Sequence, residues 1–267
     1  HRHILPFLGT LDTNMYTILV SAFMEKGSMM EYIEANPAAR KEPLIVQIAE
    51  AVSHLHRLLG LVHGDLKCQN VLISDDGNAL LADFGLSTTV EKQAGDGPTA
   101  TAIRASNTLR FAAPELLKDD ARSPSRMIRS KTTETDVFAF GMLMIQAKLG
   151  AVLSQRDPSF NVRFWTHLLA ELSRVAFTAT RPWPEIEDHA VVSKVIKNET
   201  HPRPPSSVEI GLTDPFWRVC RSCWRFKPEE RPTMAEVQHY LATVRIPSDR
   251  FHSMADRNTD NGHRRGK

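Results

Sequence analysis

Two short runs rich in apolar and β-branched residues, HILPFLGTL and MYTILVSAFM, flank the polar DTN near the start of the chain, and runs of that kind broken by turn residues predict strands. The period then changes. Ile45, Ile48, Val52, Leu55 and Leu59 recur at spacings of 3, 4, 3 and 4, the stripe of a helix buried on one side, which runs over 42–60 and stops at Gly60. Ahead of it, Ser28 with Glu31 three residues on predicts a capping box at the start of a helix in GSMMEYI. Downstream, VLIS and ALLAD enclose DDGN, a hairpin signal with Gly77 in the turn. Residues 87–108 are rich in Thr, Ser, Ala and Gly and predict a long mobile loop, which in a compact domain usually carries function. After 114 the pattern is helical, with a helix start at Asp214-Pro215 and a second capping box at Thr233 and Glu236. The polar residues 248–267 predict a disordered tail.

Composition narrows the class. With 42% hydrophobic and 24% charged residues, the 267-residue chain has enough apolar material for one large domain or two small ones. Lys+Arg 33 against Asp+Glu 31 leaves a net charge of +2, so nothing points to nucleic acid or an acidic membrane surface. No apolar run approaches the roughly 20 residues that span a bilayer. Cys68, Cys220 and Cys223 are too few for a disulfide framework and fit a reducing, cytoplasmic setting. Cys220 and Cys223 make a single C-x-x-C without a second pair, which reads as one helix face in the core before zinc or redox chemistry. The first residues, HRHILPFLGTLD, lack a signal-peptide core and do not open on Met, which suggests a fragment.

The chemistry concentrates in HGDLKCQN, residues 63–70, and LADFG, residues 81–85. The loop holds Asp65, Lys67 and Asn70 between the buried helix and the hairpin, and Asp83 follows the hairpin's second strand, so the hairpin brings both segments side by side. That set suits phosphoryl transfer: an aspartate orients a hydroxyl and takes its proton, a lysine offsets phosphoryl charge, and Asn with Asp offers hard oxygen ligands to magnesium. The bland reading makes Asp65 and Asp83 turn carboxylates and Lys67 a surface residue. It accounts poorly for the whole string.

HGDLKCQNVLI and ADFGLS resemble the catalytic loop and magnesium motif of eukaryotic protein kinases, and further landmarks follow in order. AAPELL at 112–117 resembles the motif closing the activation segment, TDVFAFGMLM the central buried helix, and CWRFKPEERPTM the end of the large lobe. The likeness is greatest to the tyrosine-kinase-like group of Ser/Thr kinases. It implies an α+β, protein-kinase-like fold over residues 1–247: a remnant of the small lobe with the hinge over about 1–27, then a mostly helical large lobe over about 28–247. It also implies Asp65 as catalytic base, Lys67 as its phosphate-neutralising partner, and Asn70 and Asp83 as magnesium ligands. Asp136 would hold the catalytic loop's backbone, and Arg231 would pair with Glu115. Ser21 (gatekeeper), Ala22, Phe23 and Met24 would receive the adenine of ATP, over an apolar floor formed by Leu72. Lys67 and Thr108 favour Ser/Thr over Tyr hydroxyls. ATP and Mg2+ are then the cofactors, with protein substrates and regulatory protein partners. Small-molecule kinases also carry an H-G-D, but are not expected to combine Lys67 with Ala113-Pro114-Glu115 and Arg231.

Three departures bear on activity. The glycine-rich loop and the ATP-binding lysine of the family precede the first residue of this chain and are missing from it. Gly95 and Gly97 form a loop tip without a third glycine. Residues 146–174 read as an insertion, either a real elaboration or a translated intron. Finally, Gly64 stands where many kinases place an arginine that grips a phosphate on the activation segment. Thr99, Thr101 and Ser106 are candidate phosphate acceptors, and Arg104 or Arg110 would compensate for the missing arginine in part. The rival functional class is a pseudokinase or scaffold that binds partners without phosphoryl transfer.

Overall fold

The computed structural model describes residues 1–13, 16–85, 87–89, 109–117, 131–154, 183, 186–203 and 211–243. Strands β1 (Phe7–Asp12) and β2 (Thr17–Ser21) form an antiparallel pair with a register irregularity between Phe7 and Gly9. This is the pair the first two apolar runs predict. Its side chains are largely uncovered in this chain, Leu19 at 71% and Leu8 at 65% exposure. The segment before it instead pairs with the large lobe: Leu5 N–H donates to Leu81 O at 2.8 Å and Leu81 N–H to His3 O at 2.9 Å.

Helix α1 (Met29–Ala35) starts as its capping box requires, the Glu31 N–H reaching the Ser28 hydroxyl while Glu31 Oε2 accepts the Ser28 N–H at 2.7 Å. Helix α2 (Lys41–His54) buries Leu44, Ile45, Ile48 and Val52 on one face. Its last turn, Leu55–Leu59, widens to a π-helix and ends on Gly60 in the left-handed region, whose N–H donates to Leu55 O. The predicted helix thus covers its full span with a changed final turn. β3 (Leu61–Val62) follows, and later pairs with β6 (Thr88–Thr89). β4 (Val71–Ile73) and β5 (Ala79–Leu81) form the predicted hairpin, Val71 opposite Leu81 and Ile73 opposite Ala79. Gly77 occupies its turn at φ 79°.

Helices α3 (Pro114–Leu117), α4 (Thr133–Ser154), α5 (Asp188–Ile196), α6 (Asp214–Cys223) and α7 (Met234–Thr243) complete the described architecture. α4 is the axis: Val137, Phe138, Phe140, Met142, Leu143, Met144 and Ile145 are all buried, as expected of a helix apolar all round. α1 and α6 pack on it, and α2 packs on α7. Thr233 and Glu236 close the predicted box on α7. Cys220 and Cys223 are fully buried on one face of α6, and burial pushes the Cys223 thiol up to about 12, in keeping with a core pair. α4 runs without a break past Ile145 to Ser154, so the expected insertion at 146–174 begins inside this helix. Gln146 and Lys148 there are buried, and Lys148 pairs with Glu42 of α2. Residues 155–174, the acceptors Thr99, Thr101 and Ser106, and also Arg104, Thr108, Gly95, Gly97 and the tail lie outside the described residues.

Candidate active site

The loop between β3 and β4 is built around one buried carboxylate. Asp136, in the first turn of α4, accepts the His63 N–H at 2.7 Å on Oδ2 and the Gly64 N–H at 2.8 Å on Oδ1. His56, within the π-turn, adds a contact of Nε2 to Oδ2 at 2.9 Å. Three donors from two segments offset the cost of burying a carboxylate that is 1% exposed. His63 in turn places its Nε2 2.9 Å from the Ala82 carbonyl and packs its ring edge-on against Phe84 at 5.2 Å. This ties the HGD stretch to the DFG stretch.

Gly64 sits at φ 78°. A left-handed residue is most easily a glycine, so the residue read as a lost arginine also relieves a strained turn. Arg110, considered as a substitute phosphate grip, is 2% exposed and donates to the Trp183 and Ile186 carbonyls. These two bonds link the segment before α3 to the start of α5.

Beyond Gly64 the chain places Asp65, Lys67 and Asn70 together. Lys67 Nζ lies 2.7 Å from Asp65 Oδ2, and Asn70 Nδ2 donates to both the Asp65 backbone oxygen at 2.8 Å and its Oδ2 at 2.7 Å. Asp65 and Asn70 are 6% and 7% exposed, and a short 3-10 turn, Cys68–Asn70, carries Asn70 back towards Asp65. Because the amide nitrogen of Asn70 is engaged by Asp65, its carboxamide oxygen is the group left to act as an outward ligand. The hairpin continues one rung further, the Ala82 N–H donating to Asn70 O at 2.9 Å, so Asp83 leaves the hairpin next to Asn70. It is exposed, holds φ 60°, and accepts the Gly85 N–H at 3.3 Å. Among the described residues no group of three or more His, Cys, Asp or Glu could hold a metal; Asn70 and Asp83 each offer side-chain oxygen, the hard donor type that suits magnesium.

Ser21, Ala22, Phe23 and Met24, expected to receive adenine, lie at the end of β2 and just after it. Ser21 ends β2, Phe23 is 88% exposed, and the Met24 carbonyl accepts the Gly27 N–H at 3.0 Å in a turn. Ser28 bridges to Leu72, and Gly27 O accepts the Ile73 N–H at 3.0 Å. The segment Ser21–Gly27 is therefore fastened to the same hairpin that carries Asn70, with Leu72 at its foot.

Three contributors escape the sequence. His56 belongs to the helical stripe region, and its partner Asp136 lies 80 residues away in the chain. Gln146 accepts the Cys68 N–H at 2.9 Å and bonds Gln69 at 3.1 Å, steadying the loop from α4; a polar residue in GMLMIQAKLG was the available signal. Lys131 donates to Gly64 O at 2.6 Å, and no motif marks it.

An α+β architecture with an aspartate-lysine-asparagine loop beside a hairpin and an Asp-Phe-Gly is the arrangement of a protein-kinase-like fold. The protein kinase domain family model matches residues 1–241, and the chain belongs to the protein kinase family. It is 27% identical over 254 residues to the tyrosine-protein kinase SPK-1 of Girardia tigrina, covering 90% of this chain and 42% of that protein. It is 26% identical over 252 residues to human receptor-interacting serine/threonine-protein kinase 1, covering 89% of this chain and 31% of that one. To rat receptor-interacting serine/threonine-protein kinase 3 it is 27% identical over 257 residues, with 92% and 46% covered. The chain thus spans less than half the length of these relatives. The likeness to the tyrosine-kinase-like group stands with them. Among the described residues no helix is long and apolar enough to cross a membrane.

Proposed function

We propose that this chain is catalytic machinery of a protein serine/threonine kinase, transferring the γ-phosphoryl of ATP to Ser or Thr hydroxyls of protein substrates in the cytoplasm. The observation that carries the reading is the contact of Lys67 and Asn70 with the Asp65 carboxylate, 2.7 Å each. The substrate oxygen forms a bond to the γ-phosphorus, the bond from that phosphorus to the β-γ bridging oxygen breaks, ADP leaves, and the hydroxyl proton passes to Asp65. Asp65 orients the hydroxyl, and Lys67 offsets charge on the transferring group. Asn70 and Asp83 would hold magnesium, which when bound with ATP neutralises its phosphate charge. Ser21, Ala22, Phe23 and Met24 would receive the adenine and Leu72 would support it. Lys67 and the two receptor-interacting relatives favour Ser/Thr; the planarian relative keeps Tyr as the competing outcome.

The test is transfer of labelled phosphate from ATP to a generic protein substrate by the full-length protein, unsubstituted and as Asp65→Asn, followed by phosphoamino-acid analysis. Loss of at least a hundredfold in Asp65→Asn, with label on Ser and Thr, is the expected result. Equal incorporation in both proteins, or none in either with ATP still bound, would leave the scaffold reading.

A further inference from the structure

We propose that Lys131 is a positioning residue of the catalytic loop, its buried ammonium clamping the carbonyl of Gly64 while Asp136 clamps the N–H of the same residue. The proposal rests on the phosphotransfer reading for its effect on rate, not for the clamp itself. Glycine is the most freely rotating residue and loses the most on being fixed. Gly64, at φ 78° and immediately ahead of Asp65, is therefore the joint on which the position of the Asp65 carboxylate turns. Both backbone polar groups of that joint are taken by charged, buried side chains. Asp136 Oδ1 accepts its N–H at 2.8 Å, and Lys131 Nζ reaches its oxygen at 2.6 Å. Charge-assisted bonds of this kind are about twice as strong as neutral ones.

The two hooks come from one place. Lys131 lies just ahead of α4 and Asp136 in its first turn, and Thr132 closes the turn between them, its N–H donating to Thr135 Oγ1 at 3.0 Å and its carbonyl accepting that hydroxyl at 2.8 Å. The spacing of the hooks is thus set by a capped helix start rather than by flexible stems. Lys131 is 7% exposed, an expensive place for an ammonium without a partner. Burial lowers its pKa, while the Asp65 and Asp136 carboxylates pull it back up and Lys67 pushes it down. Within the loop His63 Nδ1 accepts the Asp65 N–H at 3.2 Å, but glycine at 64 has no side chain of its own, and the two charged hooks on its backbone come from α4 and the residues just before it.

Amide hydrogen exchange resolved by residue, on the chain as it stands, tests the clamp without any need for activity. Lys131→Met should speed exchange at Gly64 and Asp65 at least tenfold while amides in α2 and α7 keep their protection, and Lys131→Arg should restore most of it. If Lys131→Met does not fold, Lys131→Gln, which keeps a donor without the charge, carries the comparison. Unchanged exchange at Gly64 and Asp65, or a uniform rise throughout the lobe, overturns the proposal. In the phosphotransfer assay Lys131→Met should lower kcat about tenfold and leave the KM for ATP within twofold; an unchanged kcat beside an active control overturns the catalytic consequence. Asp65→Asn in the same assay decides the phosphotransfer reading separately, whatever the exchange result.

Discussion

Arg231 and Glu115, 116 residues apart in the chain, meet as a two-bond fork, Nη1 to Oε1 at 2.6 Å and Nη2 to Oε2 at 2.8 Å. The arginine side chain is fully buried and also donates to the carbonyls of Arg225, Glu134 and Phe226. Removing the carboxylate strands a buried charge but leaves those carbonyls in place, so Glu115→Ala should cost about 3 kcal/mol, the low end for a broken buried pair. Differential scanning calorimetry should show a fall of several degrees. An unchanged melting temperature would mean that the fork adds nothing.

Gly64 at φ 78° predicts the response to a restored side chain. Gly64→Ala should destabilise the folded chain by about 1–2 kcal/mol from left-handed strain alone, read as a lowered urea midpoint with an unchanged slope. Because glycine offers no donor, phosphate on the activation segment lacks the grip that an arginine at position 64 would supply. A Thr99, Thr101 and Ser106 to Ala triple variant of the full-length protein is therefore expected to keep basal activity within about tenfold of untreated and phosphatase-treated protein. A hundredfold loss, about 2.7 kcal/mol in barrier, would show that the phosphate is read by another residue.

Gly141 marks a close crossing inside the core. A Cβ placed there would stand 2.7 Å from Trp224 Cδ1 and 2.8 Å from Cys223 Cβ, with Trp224 Nε1 nearer still. Helix propensity alone would reward alanine in α4, yet overpacking of this kind costs about 1–3 kcal/mol. Gly141→Ala should accordingly lower stability in equilibrium unfolding; a gain would mean that Trp224 swings aside freely.

His201 supplies a dependence on pH. It is buried against Trp183 and Trp224, its Nδ1 donates to Pro202 O at 2.6 Å, and burial lowers its pKa to about 4 from the usual 6.5. The unfolded chain therefore takes up this proton first. Stability is fully present above pH 6.5 and declines as pH falls through 4, by about 3 kcal/mol for this group. In urea titrations across that window, His201→Gln should show a flatter acid limb than the unsubstituted protein. Parallel curves would place the acid sensitivity elsewhere.

Local chemistry was legible from the chain by itself. The stripe from Ile45 to Leu59, the boxes at Ser28 and Thr233, and the turn at Gly77 depend on residues three or four apart, or on a single φ, so their physics is contained in short windows. The ordered motifs were enough to identify the kinase fold and to nominate Asp65, Lys67, Asn70 and Asp83. The tertiary structure decided what joins distant segments. His56 reaches Asp136 across 80 residues, Gln146 reaches Cys68 from a helix expected to end beside it, and Lys131 finds Gly64 across 67 residues. None of these contacts has a period or spacing, since each depends on how helix α4 threads the lobe. The place of Arg110 is of the same kind: a charge in the sequence offers itself to any anion, and only the fold shows it buried and donating to two carbonyls.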